Sequence, residues 1–272
     1  MRKLTFMMLG GKMTRKGADF MFPRRICSPH YEGAMEPIRI LDSVWFVGCY
    51  PASAHLIDTG DGLILIDTGY ADTLFLLVDS IYKTGYTPKD VRYILHTHWH
   101  DDHTGATAGL VHISGAKTMI SAKDAPKAKP YFTPDILLKD GDRIELGNTS
   151  ISVLETPGHT YGTVSLFFDA KEGDQTYRVG MFGGAGTNTL KQGCFDYEGC
   201  REDYRKSLER LRKEPVEVFI GNHVWNNDTE NKGIQRRLGA SNPFVDREIW
   251  HTFLNYCESR LDRLIQEEIQ NG

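Results

Sequence analysis

The 272-residue sequence has no apolar run near the roughly 18–20 residues that a membrane-spanning helix needs, which argues against a membrane partner. It has little net charge: −4 at pH 7 leaves no broad basic surface, so nucleic acid is not expected as a partner either. Its five cysteines are odd in number and form no CxxC pair, which fits a reducing compartment better than a disulfide framework. Cys194 and Cys200 flank a glycine-rich segment and could pair under oxidation, but idle thiols are the simpler expectation. A secretory leader is also not expected. The apolar patch Leu4 to Leu9 is shorter than the roughly 7–15 residues of a leader core, and Lys12, Arg15 and Lys16 follow in place of a small-residue cleavage site. Cytoplasmic residence is the resulting expectation. There is no internal repeat and no low-complexity tract.

What is present reads as one large layered domain. Residues 1–35 are irregular, broken by Gly10, Gly11, Pro23, Pro29 and Gly33, and carry scattered aromatics such as Phe20 and Phe22. They are read as an arm or lid on a domain of residues 36–272. "IRILDSVWFVGCY" and "SAHLIDTGDGLILIDTGY" read as β, with Gly60-Asp61-Gly62 as a hairpin turn. "DTLFLLVDSIYKTGY" has helical spacing and ends at Gly85. "VRYILHTH" is a strand, "DDHTGATAGLVHIS" a short helix and "KTMISA" another strand. Residues 144–180 are β-rich, "REDYRKSLERLRKE" is an amphipathic helix, and "VEVFIGNH" is a strand ending in His223. The C-terminal "FVDREIWHTFLNYCESRLDRLIQEE" is helical again. This order predicts an α/β fold with two sheets face to face and helices outside.

Chemistry concentrates in "YILHTHWHDDHTGA", residues 93–106, which holds four histidines and two adjacent aspartates. Histidine is the commonest metal ligand, and the spacing H-x-H-x-D-H over His98, His100, Asp102 and His103 is not that of a random polar loop. His98 and His100 stand two apart at a strand end and should leave one face. His159 sits in "ETPGHTYG", where Pro157 and Gly158 force a turn, and His223 ends a strand. Each adds a histidine where a rigid sheet meets functional loops.

The order "LIDTG", "HTHWHDDHTG", "TPGHTYGT" and a late strand-end histidine resembles the metallo-β-lactamase superfamily across about residues 38–225. The resemblance implies an αββα sandwich of two mixed sheets with a metal groove at one sheet edge. It implies a first metal on His98, His100 and His159 and a second on Asp102, His103 and His223, with Asp67 bracing the metal loop from behind. Two Zn2+ ions per chain are implied, with iron or manganese as alternatives. Most hydrolases of the superfamily place a bridging aspartate after a later strand, whereas "VGMFGGAGTN" has Gly184 there. That departure looks like the subclass B3 arrangement and favours lactam or amide chemistry over the lactonase and thioesterase branches.

The implied activity is a zinc-dependent hydrolase in which hydroxide attacks the carbonyl of a small amide, lactam or ester, with Asp102 orienting the hydroxide as well as binding metal. A subclass B3-like β-lactamase proper and an iron-dependent oxidoreductase of the same fold are the alternatives. Gly184 and Tyr161 are candidate substrate contacts, as is the run 222–228. His96 and Trp99 match no ligand position, and His96 is expected to face the sheet interior or a carboxylate behind the ligands. The expected partner is a small-molecule substrate; homo-oligomerisation stays open.

Overall fold

The computed structural model describes residues 21–22 and 24–271; Phe20 and the Leu4–Leu9 patch lie outside them. Strands β1 (Ile38–Leu41), β2 (Val44–Phe46), β3 (His55–Asp58) and β4 (Leu63–Ile66) lead into helix α1 (Leu74–Lys83). There follow β5 (Val91–Leu95), α2 (Asp101–Thr104), α3 (Thr107–Ser114), β6 (Lys117–Ser121), α4 (Ala125–Ala128) and β7 (Ile136–Leu138). The second half holds β8 (Arg143–Leu146), β9 (Thr149–Glu155), β10 (Val164–Glu172), β11 (Gln175–Met181), α5 (Cys200–Leu211), β12 (Val218–Phe219), α6 (Thr229–Arg237) and α7 (Ile249–Asn271).

Two mixed sheets result. The first has seven strands in the order β1 to β7, antiparallel up to β4 and parallel from β4 onward. The second has five in the order β12-β11-β10-β9-β8, antiparallel except for β11 with β12. The period-2 alternation of side chains shows how the layers stack. In β4, Ile64 and Ile66 share a core cluster with Leu166 and Phe168 of β10, between the sheets. Leu63 and Leu65 instead join Leu77 and Ile81 of α1 and Leu110 of α3. On the far side, Phe167 packs with Tyr204 and Leu208 of α5 and with Trp250 and Phe253 of α7. Helices therefore cover both outer faces, and the architecture is the expected αββα sandwich. Each such buried Leu, Ile or Phe contributes about 1.5–3 kcal/mol.

The same topology collects the chemistry at one edge. β9 and β11 both run antiparallel to β10, and β12 runs parallel to β11, so these three strands point the same way. The loops that carry His159, Gly184 and His223 thus leave from one end of the second sheet.

Some elements differ in detail from the sequence reading. The helix expected over "DDHTGATAGLVHIS" is two, α2 and α3, broken around Gly105, where a β-carbon would come within 2.7 Å of the Ala71 nitrogen. β12 is only two residues long, although Ile220 still donates its N–H to the Gly180 carbonyl at 3.0 Å. α7 starts at Ile249, because Phe244 is consumed by the core and Val245 bridges to Val218. All five cysteines are free, with Cys194 exposed and Cys200 buried. Among the described residues no helix is long and apolar enough to cross a membrane.

Candidate metal centre

The site starts at Asp67, directly after β4. Its backbone is left-handed (φ 59), a region that aspartate tolerates better than most side chains. The buried carboxylate accepts from the Thr97 N–H and the Thr97 hydroxyl, each at 2.8 Å, and from His103 Nδ1–H at 2.8 Å. His96 Nδ1 lies 3.8 Å away on the same carboxylate. Burial works against the Asp67 charge, but His103 and His96 override it and hold its pKa down at about 2.

β5 ends at Leu95, so His98 and His100 leave from the loop after the strand and not from the strand itself. Two carboxylates fix that loop. Asp67 holds Thr97, and Asp124, wholly buried, accepts from the Trp99 N–H at 3.2 Å. Asp124 also accepts from the Thr160 hydroxyl and the Gly162 N–H, each at 2.7 Å. It therefore clasps the His98–His100 loop to the His159 loop. Burial is the main cause of its raised pKa, about 6.

With the loops fixed, the rings converge. His98 Nε2 is 3.1 Å from His100 Nδ1, and His159 Nε2 is 3.0 Å from the same atom. Ligand atoms of these three residues all lie within 4.8 Å of one another, and so do those of His98, Asp102 and His103. Asp102 Oδ2 is 3.4 Å from His103 Nε2 and 3.6 Å from His223 Nε2. All six sequence-chosen residues are thus brought together, with His98 standing between the two groups.

The outward nitrogens decide what the inward ones offer. His159 Nδ1–H donates to the Gly186 carbonyl at 2.9 Å and His223 Nδ1–H to the Pro51 carbonyl at 3.1 Å. The Thr97 hydroxyl spends its proton on Asp67 and accepts from His98 Nδ1–H at 3.1 Å. With those protons committed outward, the Nε2 atoms of His98, His159 and His223 carry lone pairs into the centre. One proton on His100 Nδ1 cannot serve both its neighbours. A cation accepting every lone pair does, and the spacing is near the ~3.3 Å edge of a tetrahedron with Zn–N of ~2.0–2.1 Å. His103 Nε2 is buried and makes no hydrogen bond among the described residues, which suits a ligand position.

Electrostatics agree. Burial, then the neighbouring imidazoles, lowers the pKa of His98 well below its usual value, and burial lowers His100 to about 4 and His159 and His223 to about 3. These four are neutral, the form in which an imidazole can hold a metal, whereas Asp102 and Asp67 keep His103 protonated. Burial also opposes the charge on Asp102, yet the charged His103 beside it keeps it ionised with a pKa far below the carboxylate range.

The centre opens into a cavity of about 410 Å3 whose wall includes Tyr70, Asp101, Asn188, Trp225 and the inner side of α7. Tyr161 stands outside that wall, 46% exposed, beside Tyr197 and under Lys123. Gly184 is buried behind it, while Ala185 and Gly186 form the surface. A β-carbon on Gly184 would sit 2.7 Å from Thr163 Cγ2 and 2.8 Å from His159 Cβ, so there is no room for a bridging carboxylate. Gly184→Ala is therefore expected to cost about 1–3 kcal/mol by overpacking, visible as a lower melting temperature; an unchanged Tm would refute the close approach. Sequence reasoning missed Asp124, Tyr70 and the α7 wall. Asp124 carries no local signal, because its partners lie 25 to 38 residues away.

An αββα sandwich with histidines and one aspartate gathered at a sheet edge defines a metal-binding protein of the metallo-β-lactamase fold. The Metallo-beta-lactamase superfamily profile matches residues 47–173. The whole sandwich is similar to a subclass B3 metallo-beta-lactamase of Bradyrhizobium japonicum, with TM-score 0.83 and 27% identity over 90% of this chain and 99% of that one. It is also similar to a metallo-beta-lactamase from Legionella gormanii, with TM-score 0.79 and 28% identity over 88% and 97%. A hydroxyacylglutathione hydrolase of Methylococcus capsulatus is 35% identical over 129 residues, 47% of this chain and 46% of the relative. The chain spans about half the length of the curated relatives it matches. Residues 47–173 thus match the metallo-β-lactamase superfamily, and the fold of the described chain is like that of its solved members.

Proposed function

We propose that the protein is a hydrolase holding two zinc ions, one on His98, His100 and His159 and the other on Asp102, His103 and His223. Its substrate is a small amide, lactam or ester. The observation that carries the reading is the tautomer set: the outward ring nitrogens of His98, His103, His159 and His223 each meet a fixed acceptor, which aims the other nitrogen inward. Bound zinc would supply Lewis acidity to a carbonyl and lower the pKa of water toward neutrality. Ionised Asp102 would bind metal and orient the attacking water by accepting its hydrogen bond. Of the segment 1–35 read as an arm or lid, residues 1–20 and 23 lie outside the described residues, while Met21 and Phe22 pack against the α5–α7 cluster.

A β-lactamase proper is the favoured specific form, because Gly184 leaves no space for a bridging carboxylate. The superfamily profile stops at residue 173 and so does not bear on that position. The test is turnover of a chromogenic cephalosporin, a lactone and a thioester by protein of measured metal content. Cephalosporin turnover supports the β-lactamase form, and turnover of another substrate alone supports the wider hydrolase reading. No turnover at full zinc loading sinks both, and an iron-rich, oxygen-consuming preparation would select the oxidoreductase.

A further inference from the structure

The run 222–228 holds three asparagines that the sequence offers as polar contacts to substrate, and the structure divides them. Asn227 is fully buried and spends both ends of its amide inside the protein. Its Nδ2 donates to the Phe219 carbonyl at 2.6 Å, and its Oδ1 accepts from the Thr229 hydroxyl at 2.5 Å. Asn222, 2% exposed, is equally committed: Nδ2 donates to the Gly183 carbonyl at 2.7 Å, and Oδ1 accepts from Asn226 Nδ2 at 2.6 Å. Asn226 differs. It lines the cavity of the metal centre, and its own Oδ1 makes no hydrogen bond among the described residues.

The orientation of that oxygen is set from behind. The Gly183 carbonyl can only accept, so Asn222 turns its NH2 toward it and its oxygen toward Asn226. That oxygen can only accept in turn, so Asn226 answers with its NH2. One backbone carbonyl thereby orders two amides in series and leaves an acceptor as the unspent end on the cavity wall. Both ends of the relay are anchored. A β-carbon on Gly183 would sit 2.8 Å from Thr97 Cβ, so that backbone has no room to move toward the His98 loop. The Ser53 N–H donates to the Asn222 carbonyl at 3.3 Å, and the Asn226 N–H to the His223 carbonyl at 3.0 Å. The last bond closes the short 3-10 turn Val224–Asn226, so the acceptor stands one turn from an imidazole of the metal centre. We propose that Asn226 Oδ1 is where the cavity reads a substrate N–H, with Asn222 as the residue that positions it. The substrate class this selects is an acyl compound with a secondary-amide N–H beside its hydrolysable carbonyl. An oxygen in place of that N–H would set lone pairs against lone pairs. The inference deepens the hydrolase reading and rests on it, because the metal centre fixes where the carbonyl lies.

The test is calorimetric titration of zinc-loaded protein with two thiols that anchor on zinc, N-methylmercaptoacetamide and methyl mercaptoacetate, which differ in N–H against O. The amide is expected to bind about tenfold more tightly, and Asn226→Ala should abolish that preference. Asn222→Leu leaves the Asn226 amide free to turn and should remove most of it. A merely structural loss scales both affinities alike and leaves their ratio, and zinc content with the melting curve identifies any variant that has lost its fold. Equal affinities in the unaltered protein, or a preference that survives Asn226→Ala, would overturn the assignment, as would failure of both thiols to bind. A preference lost in Asn226→Ala but kept in Asn222→Leu would overturn the relay. In parallel, kcat/KM for 4-nitrophenyl N-acetylglycinate relative to 4-nitrophenyl acetoxyacetate should fall about tenfold in Asn226→Ala. Failure to hydrolyse either ester counts against the hydrolase reading, while the thiol titration still decides the acceptor. Hydrolysis of both esters with an unmoved ratio and an unmoved thiol preference sinks the acceptor and leaves the hydrolase intact.

Discussion

His103→Ala is expected to lower bound zinc from about two ions per chain to about one and to cut turnover on the order of 10³-fold. His103 is the ring whose inward nitrogen lacks any hydrogen-bond partner although the side chain is fully buried. Burial opposes its charge, but Asp102 and Asp67 raise its pKa to about 10. In the metal-free protein it is therefore a cation between two carboxylates, and zinc must displace its proton. Binding of the second zinc at pH 7 should release about one proton, and its affinity should rise about tenfold per pH unit until pH nears the His103 pKa. The first zinc meets no such competitor there, since His98, His100 and His159 are already neutral. The stability signs are opposite for the two sets. The raised pKa of His103 stabilises the metal-free fold fully below its unfolded value of about 6.5, and the contribution is lost as pH rises through the folded pKa. The lowered pKa values of His100, His159 and His223 leave the fold stable above about 6.5 and weaken it as pH falls toward their folded values. Elemental analysis and zinc titration at several pH values check all of this. Two zinc ions retained by His103→Ala would remove the residue from the ligand set.

Much of the centre is legible in the sequence because its residues sit together in the chain. His98, His100, Asp102 and His103 fall within six positions, and their spacing alone marks a metal loop. His159 and His223 can be chosen because each follows soon after a strand, and the shared direction of β9, β11 and β12 brings the loops that carry them to one edge. The parts that escape a sequence reading act across long separations. Asp124 clasps two loops through backbone N–H groups, which any sequence could supply. Arg260 appears in sequence as one more charge on an amphipathic helix, and only packing turns it into a cavity wall. Gly184 stands out in the sequence as the place of an absent bridging aspartate and as a candidate to touch substrate. Its neighbours explain it instead: Thr163 and His159 press on the backbone there and leave room only for hydrogen. The tautomers of His98, His159 and His223 are equally out of reach, since they depend on the Gly186 and Pro51 carbonyls and on Thr97.

Asp67→Asn should be nearly as damaging as loss of a ligand, although Asp67 does not line the cavity. Its two oxygens accept three hydrogen bonds, from Thr97 N–H, the Thr97 hydroxyl and His103 Nδ1–H. An amide keeps one acceptor oxygen and sets its NH2 against a donor whichever way it turns. If the NH2 faces His103, the favoured tautomer reverses: Nδ1 accepts, and Nε2 carries its proton into the place of the metal. Affinity for the second zinc is expected to fall about 10–100-fold, the usual effect of removing a group that orients a metal-bound imidazole. The fold should also lose about 3–5 kcal/mol, because His103 and Asp102 remain buried without their third charge. At limiting zinc kcat should drop with KM little changed, since no substrate contact is lost. Excess zinc should restore a large part of kcat without restoring the melting temperature. That separation is what a positioning residue produces. If zinc affinity in Asp67→Asn equals that of the unaltered protein, and kcat stays low at saturating zinc, Asp67 serves the fold alone and the tautomer argument fails.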